Sequence, residues 1–238
     1  DVNAFSLLIK DGATKPEYLP RKDFSTNNVF RTSAVTIAAD NAIDVKHTSK
    51  RTGAESAAVR YYYREKSQAD REKGYLQGLS RDFPSAKLGK LTFTGLDTVT
   101  NTVSTQVEFH VPDYVSQSGK FKFLKLPWAD KLEPNEALAS EKRTYPIVSW
   151  TYEDTLREQI SVKLPKGFVV EDIVPNVKYS SPVADYSVSY KLSGGSLLAT
   201  REFIQKKNRV QPEEYAAYKK FYNDALKEDT KQIVLRRK

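Results

Sequence analysis

A mainly β chain with minor α is the fold class that the sequence predicts, arranged as two antiparallel β-sandwich-like domains, each with one helix packed on or across its sheet. Three observations predict it. Apolar residues recur with a period of two in several segments, the signature of strands with one buried face. Tyrosine is abundant at 14 while methionine and cysteine are absent, and tyrosine, valine and threonine suit half-buried pleated surfaces. Turn signals rich in Gly, Asn and Asp separate the periodic runs. A length of 238 residues fits two β domains of ordinary size, and each half is long enough to bury a core.

The elements follow in chain order. Residues 1–26 read as an N-terminal extension or the remnant of a preceding domain, with Phe5–Ile9 as one strand, Asp11-Gly12 as a turn, and Pro16 and Pro20 in an extended connection. A first β domain with an inserted helix spans 27–126. In it Phe30, Thr32, Ala34 and Thr36 alternate with Arg31, Ser33, Val35 and Ile37, Asp40-Asn41 turns the chain, and Ile43–Thr48 resumes the alternation. Residues 54–82 read as helix, with Val59, Tyr62 and Tyr63 on one face and a break near Gly74 and Gly78. Strands follow over Leu88–Phe93, Val99–Val111 and Phe121–Leu126, with Gln117–Lys120 as a turn. Residues 127–143, holding Pro127, Pro134 and many charges, read as a linker.

The C-terminal β domain spans 144–238. Tyr145-Pro146 is extended, because proline disfavours helix at the preceding residue. Leu156, Ile160, Val162 and Leu164 line one face of the next strand, and Pro165–Phe168 turns the chain. Tyr186, Val188, Tyr190 and Leu192 line a later strand, which Ser193-Gly194-Gly195-Ser196 joins to the returning strand Leu198–Lys206; paired glycines accept the left-handed dihedrals of a tight hairpin. Pro212 opens a helix over 212–228 with Tyr215, Tyr218, Tyr222 and Ala225 on its apolar face, and Ile233–Leu235 closes the chain as a strand.

Composition excludes several chemistries. The absence of cysteine removes disulfides, thiolate nucleophiles and sulfur metal sites together. No run approaches the roughly 18 apolar residues of a membrane span, and neither a Walker-type loop nor a dinucleotide fingerprint occurs. Net charge is +8, but it is scattered along the chain and reads as solvated strand faces rather than a nucleic-acid footprint. The start at Asp1 without an initiator methionine reads as a processed or trimmed end.

Residues 143–238 resemble the C-terminal domain of a bacterial family of secreted, transglutaminase-like proteins. The features that carry the resemblance are Tyr145-Pro146, Tyr152-Glu153-Asp154, Leu164–Phe168, Tyr186–Tyr190, Gln211–Tyr215 and Ile233–Leu235, in order and spacing. The stretch from Asn28 to Pro112, with Gly53 and Arg60, resembles the β domain that follows the catalytic domain in the same family. The resemblance implies a bacterial periplasmic, outer-membrane-associated or secreted protein, with an upstream papain-like domain of the same polypeptide, or another envelope protein, as partner. In that family a cysteine, a histidine and an aspartate do the chemistry. This chain has no cysteine, so no catalytic residue carries over, and a non-catalytic accessory role is expected.

Candidate sites are read against their plainer alternatives. Trp128, Trp150, Tyr152 and Tyr61-Tyr62-Tyr63 would stack on sugar rings if exposed, making a glycan the second partner; core packing explains them equally well. Lys206, Lys207 and Arg209, with Arg236–Lys238, would contact an anionic polymer, but they lack the interleaved aromatics of a single-strand binder. His47 and His110 lack a nearby acid motif and read as hydrogen-bonded strand residues rather than metal ligands. Glu153 and Asp154, adjacent on a strand, point to opposite faces and do not make a glycosidase pair on their own. No catalytic, metal or cofactor site is assigned, although carboxylates from distant loops converge only in three dimensions.

Overall fold

A computed structural model describes residues 5–7, 9, 11, 12, 14–19, 26–99, 102–148, 154–172 and 175–238. Its elements run β1 (Phe5–Ser6), β2 (Glu17–Tyr18), β3 (Asn28–Ile37), β4 (Ile43–Arg51), α1 (Gly53–Tyr63), α2 (Gln68–Asp82), β5 (Lys87–Thr94), β6 (Val103–Val111), β7 (Ser116–Ser118) and β8 (Phe121–Lys125). They continue β9 (Ile147–Val148), β10 (Thr155–Lys163), β11 (Phe168–Val170), β12 (Val177–Ser180), β13 (Ala184–Ser193), β14 (Ser196–Gln205), β15 (Arg209–Val210), α3 (Tyr215–Asp229) and β16 (Gln232–Arg237).

The mainly β class holds, but the division into two antiparallel sandwiches gives way to one large mixed sheet. Its eight strands lie in the order β12-β13-β14-β10-β3-β4-β6-β5. The central pair joins the two halves of the chain: β10 runs parallel to β3, with Thr155 opposite Asn28 and Lys163 opposite Thr36. A smaller sheet, β11-β16-β8-β7, joins them again, because the terminal strand β16 pairs with β8 from Gln232↔Lys125 to Arg236↔Phe121. Alternation in a sequence tells which residues share a face, not which strand lies alongside, so a pairing between distant segments leaves no local trace. One continuous core results, in which Val45 and Phe109 from the first half pack with Ile160, Tyr186 and Phe221 from the second.

Local structure follows local chemistry. Asn41, at φ 68, turns the β3–β4 hairpin; asparagine is among the few residues that tolerate that region. Gly194 and Gly195, at φ 57 and 76, make the two-residue turn between β13 and β14, with Ser193 opposite Ser196. The helical stretch breaks at Arg64–Ser67 rather than at Gly74 and Gly78, which lie inside α2. Ser67 starts α2 by accepting from Asp70 N–H at 3.2 Å. At the head of α1 a side chain on Gly53 (φ 57) would put its Cβ 2.2 Å from Asn27 Oδ1, the atom that caps Ala54 N–H at 2.9 Å; only glycine fits there. The buried residues of α1 are Ser56 and Arg60, while Tyr62 is half exposed.

The stretch 127–143, expected as a linker, is built into the body. Trp128 and Leu138 are buried, and α3 holds the segment down: Tyr222 Oη donates to Glu133 O at 2.7 Å, Lys219 Nζ donates to Ser140 O at 2.8 Å, and Tyr215 Oη donates to the same carbonyl. The buried face of α3 is Tyr215, Tyr218, Phe221 and Ala225, with Tyr222 partly covered, and the helix packs on β12 and β13.

Candidate functional site

Strand register builds a row of polar side chains across the covered face of the large sheet. Arg201 on β14 lies opposite Glu158 on β10, Glu158 opposite Arg31 on β3, Arg31 opposite Ser49 on β4, and Ser49 opposite Thr105 on β6. All five are at most 3% exposed. The next inward-facing row on the same strands reads Ala199, Ile160, Ser33, His47 and Val107. The row after that is wholly apolar, with Leu197, Val162, Val35, Val45 and Phe109. The covered face thus grades from ionic at one end to hydrocarbon at the other.

Arg201 is the hub of the ionic end. Its Nη1 donates to both Asp229 oxygens, at 2.8 and 2.6 Å, from the last turn of α3. Its Nη2 donates to Glu158 Oε2 at 2.9 Å and to Ala129 O at 2.7 Å, and its guanidinium lies 4.8 Å from the centre of the Trp128 ring. The carboxylates are used from several sides: Glu158 Oε1 accepts from Ala129 N–H at 3.0 Å, and Asp229 accepts from Leu132 N–H at 2.9 Å and Tyr186 Oη at 3.1 Å. Burial disfavours the Arg201 charge, but Asp229 and Glu158 outweigh it and hold the guanidinium above its ordinary pKa. Burial likewise pushes the Glu158 carboxyl up, against the opposing pull of Arg201, Arg31 and the Ala129 N–H.

The second guanidinium of the row faces a different partner. Arg31 Nη2 donates to Asp130, and among the described residues its Nε and Nη1 meet no hydrogen-bond partner. Burial alone would raise the Asp130 pKa; Arg31, Arg51 and Arg201 together bring it below the usual carboxylate range. Beside this pair His47 Nδ1 lies 2.8 Å from Ser33 Oγ, both residues buried. Burial first, then the charges of Arg31 and Arg51, lower His47 to about 4, so the ring is neutral at ordinary pH. A serine–histidine contact this deep, flanked by two arginines, satisfies polar groups and offers no route to a substrate.

Sequence-nominated groups fall elsewhere. Trp128 is 2% exposed and faces Arg201, so it is a core residue and not a sugar platform. Trp150, Tyr152 and Glu153 lie outside the described residues. Lys206 Nζ donates to Ser181 O at 2.6 Å and pairs with Asp185 at 2.9 Å, and Lys207 pairs with Glu214 at 2.6 Å; both ammonium groups are already engaged. Arg209 is exposed on β15. Tyr61 is exposed, whereas Tyr63 packs on Phe93 at 4.6 Å. His110 bonds Asp44 at 2.9 Å on the open face. Among the described residues no group of three or more His, Asp or Glu is placed to hold a metal ion, and no helix is long and apolar enough to cross a membrane.

The hub residues Glu158, Arg201 and Asp229 were not nominated from the sequence. The one available signal was phase: Glu158 falls in step with Ile160 and Val162, and Arg201 with Leu197 and Ala199, on the apolar side of their strands.

Asp154 carries a measurable consequence. Burial, then the nearby carboxylates of Glu55 and Asp130, push it up to about 6. A carboxyl raised in the folded state contributes stability below the unfolded value, and that stability is lost as pH rises through about 6. Asp154→Asn is therefore expected to stabilise the protein by about 1–3 kcal/mol at pH 8, after allowance for partial solvent screening, and to have no effect near pH 4. Urea unfolding at the two pH values checks this; equal stability of variant and parent at pH 8 would exclude a strained carboxyl.

Comparison with known proteins finds a family model that matches part of the chain and a solved structure of low similarity. Residues 120–235 match the family described as a domain of unknown function with solved structure, DUF3858. No curated protein is significantly similar to the chain. Among solved structures, one titled as a "putative protease" from Parabacteroides distasonis is similar over 49% of this chain and 23% of that one, at 13% identity and a TM-score of 0.41. The chain thus spans about a quarter of the length of that structure.

Proposed function

We propose that this chain is a non-catalytic accessory region of a bacterial envelope or secreted protein, one that supports or positions an upstream transglutaminase-like domain or packs against a partner protein. The observation that carries this reading is the fate of the reactive side chains. Arg201, Glu158 and Asp229, the densest ionic cluster described, have side chains at most 1% exposed and are committed to one another and to the 129–132 backbone. Groups enclosed this way cannot meet a substrate atom. Their physical effect is to bind β10, β14, α3 and the 127–143 segment into one body, which is what a support requires.

Incubating the intact chain with a fluorogenic peptide set and with a glutamine donor–amine acceptor pair tests the proposal. The expected result is no turnover above the protein-free rate. Turnover that disappears in His47→Ala or Glu158→Gln would overturn it.

A further inference from the structure

The N-terminal hairpin is built unlike the rest of the chain. β1 and β2 form a sheet of two strands, with Phe5 opposite Tyr18 and their ring centres 5.1 Å apart. Leu7 and Ile9 continue from Phe5 at every second position. All four large apolar side chains stand open, Phe5 and Tyr18 at 64%, Leu7 at 60% and Ile9 at 100% exposure, and none packs on the core. The other large exposed apolar side chains described stand singly or in pairs along the chain from Phe30 to Leu198. Isolated ones are ordinary on any surface, whereas four gathered within fourteen residues make a patch. A two-stranded hairpin is at best marginally stable in water and gains stability when its hydrophobic face is covered. Among the described residues nothing covers this one.

We propose that the cover is the same hairpin of a second copy of this chain, the two packing face to face about a two-fold axis. In that arrangement the aromatic end of each hairpin, Phe5 and Tyr18, lies over the aliphatic end of the other, Leu7 and Ile9, as an isologous contact requires. The two layers stand about 10 Å apart, and four strands share one apolar interior. At roughly 200 Å² for a fully open large side chain, the four exposures add to about 600 Å² per copy, or about 1,200 Å² for two, the lower bound of a specific interface. Charge permits the approach. Residues 5–19 hold Lys10 and Lys15 against Asp11 and Glu17, a balance of zero in a chain of net charge +8, so two hairpins meet without the repulsion that cationic faces would feel.

Other occupants fit less well. An anionic membrane surface or polymer calls for an excess of cations beside the apolar groups, which the hairpin lacks. A different patch of the same chain would give an open-ended, head-to-tail assembly, but the remaining open apolar side chains described stand no more than two together along the chain. An unrelated protein would have to bring an uncovered apolar face of its own, whereas every copy of this chain that exposes the face brings a matching one. The contact therefore closes at two copies, and it uses none of the buried ionic hub.

Sedimentation equilibrium of the intact chain between about 5 and 500 µM tests the proposal. A reversible monomer–dimer equilibrium is expected, with a dissociation constant on the order of 10 µM, the weak end open to an interface of this size. Leu7→Asp with Ile9→Asp should weaken it by more than about a hundredfold, since carboxylates replace the aliphatic side chains that the contact buries. Both residues lie off the core, so circular dichroism and melting of the dilute protein should not change. Hydrogen exchange locates the contact: amides of β1 and β2 should slow as the concentration rises through that range, while those of β3 and β4 keep their rates. A monomer up to about 500 µM would overturn the proposal. So would a dimer that the double variant leaves intact, or one whose formation does not slow exchange in the hairpin.

Discussion

Replacing Arg201 with methionine is expected to destabilise the fold by about 3–5 kcal/mol, because it leaves two carboxylates buried without their cation. Glu158 and Asp229 are both within 2.9 Å of the guanidinium, with side chains at most 1% exposed, so water cannot take over its role. For a chain of this size the loss corresponds to roughly 10 °C in melting temperature. A second variant separates the charge from the shape. Arg201→Met with Glu158→Gln and Asp229→Asn removes all three charges but keeps oxygens to accept from Ala129, Leu132 and Tyr186. Its stability is expected to recover most of the loss, since a buried ion triad can be replaced by uncharged groups at little net cost. Urea unfolding of the three proteins measures both effects. A single variant within about 1 kcal/mol of the parent would mean that the cluster is hydrated and weak.

That experiment also bears on how the chain is assembled, because the hub joins segments that look independent in sequence. Hairpins were legible: Asp40-Asn41 and Gly194-Gly195 are local signals, and their strands pair as the signals require. The parallel contact between β3 and β10 was not legible, since nothing near Asn28 or Thr155 marks the other as a neighbour. For the same reason Phe121–Lys125 reads as the end of a first domain although its partner is the last strand of the chain. The helix break at Arg64–Ser67 hid behind residues that suit helices, and Ser67 followed three positions later by Asp70 was the missed start signal. For Trp128 the sequence leaves a sugar platform and core packing equally open, because the buried arginine over which the ring lies is not revealed by the local sequence.

The acid limb of stability is expected to be set in large part by His47. Its imidazole is lowered to about 4 by burial, then by Arg31 and Arg51, against about 6.5 in the unfolded chain. A base depressed in the folded state contributes stability that is fully present above 6.5 and is lost as pH falls toward 4, for a total of about 3 kcal/mol. Every group that faces it enters the sign. Arg31 and Arg51 keep their charge throughout and oppose protonation, whereas Asp130 favours it weakly. Asp130 is itself held below the usual carboxylate range, so it keeps its charge through most of the same window. Asp154 works the opposite way, gaining stability as it protonates below about 6, so the slope should be cleanest in the Asp154→Asn background. There, His47→Gln, which can still meet the Ser33 hydroxyl, should lose less stability than its parent between pH 7 and pH 4, by about 2–3 kcal/mol. Imidazole resonances of His47 should stay at their neutral positions down to about pH 5. A midpoint near 6.5 would mean that the ring is open to water, and the enclosed interior on which the supporting role depends would have to be given up.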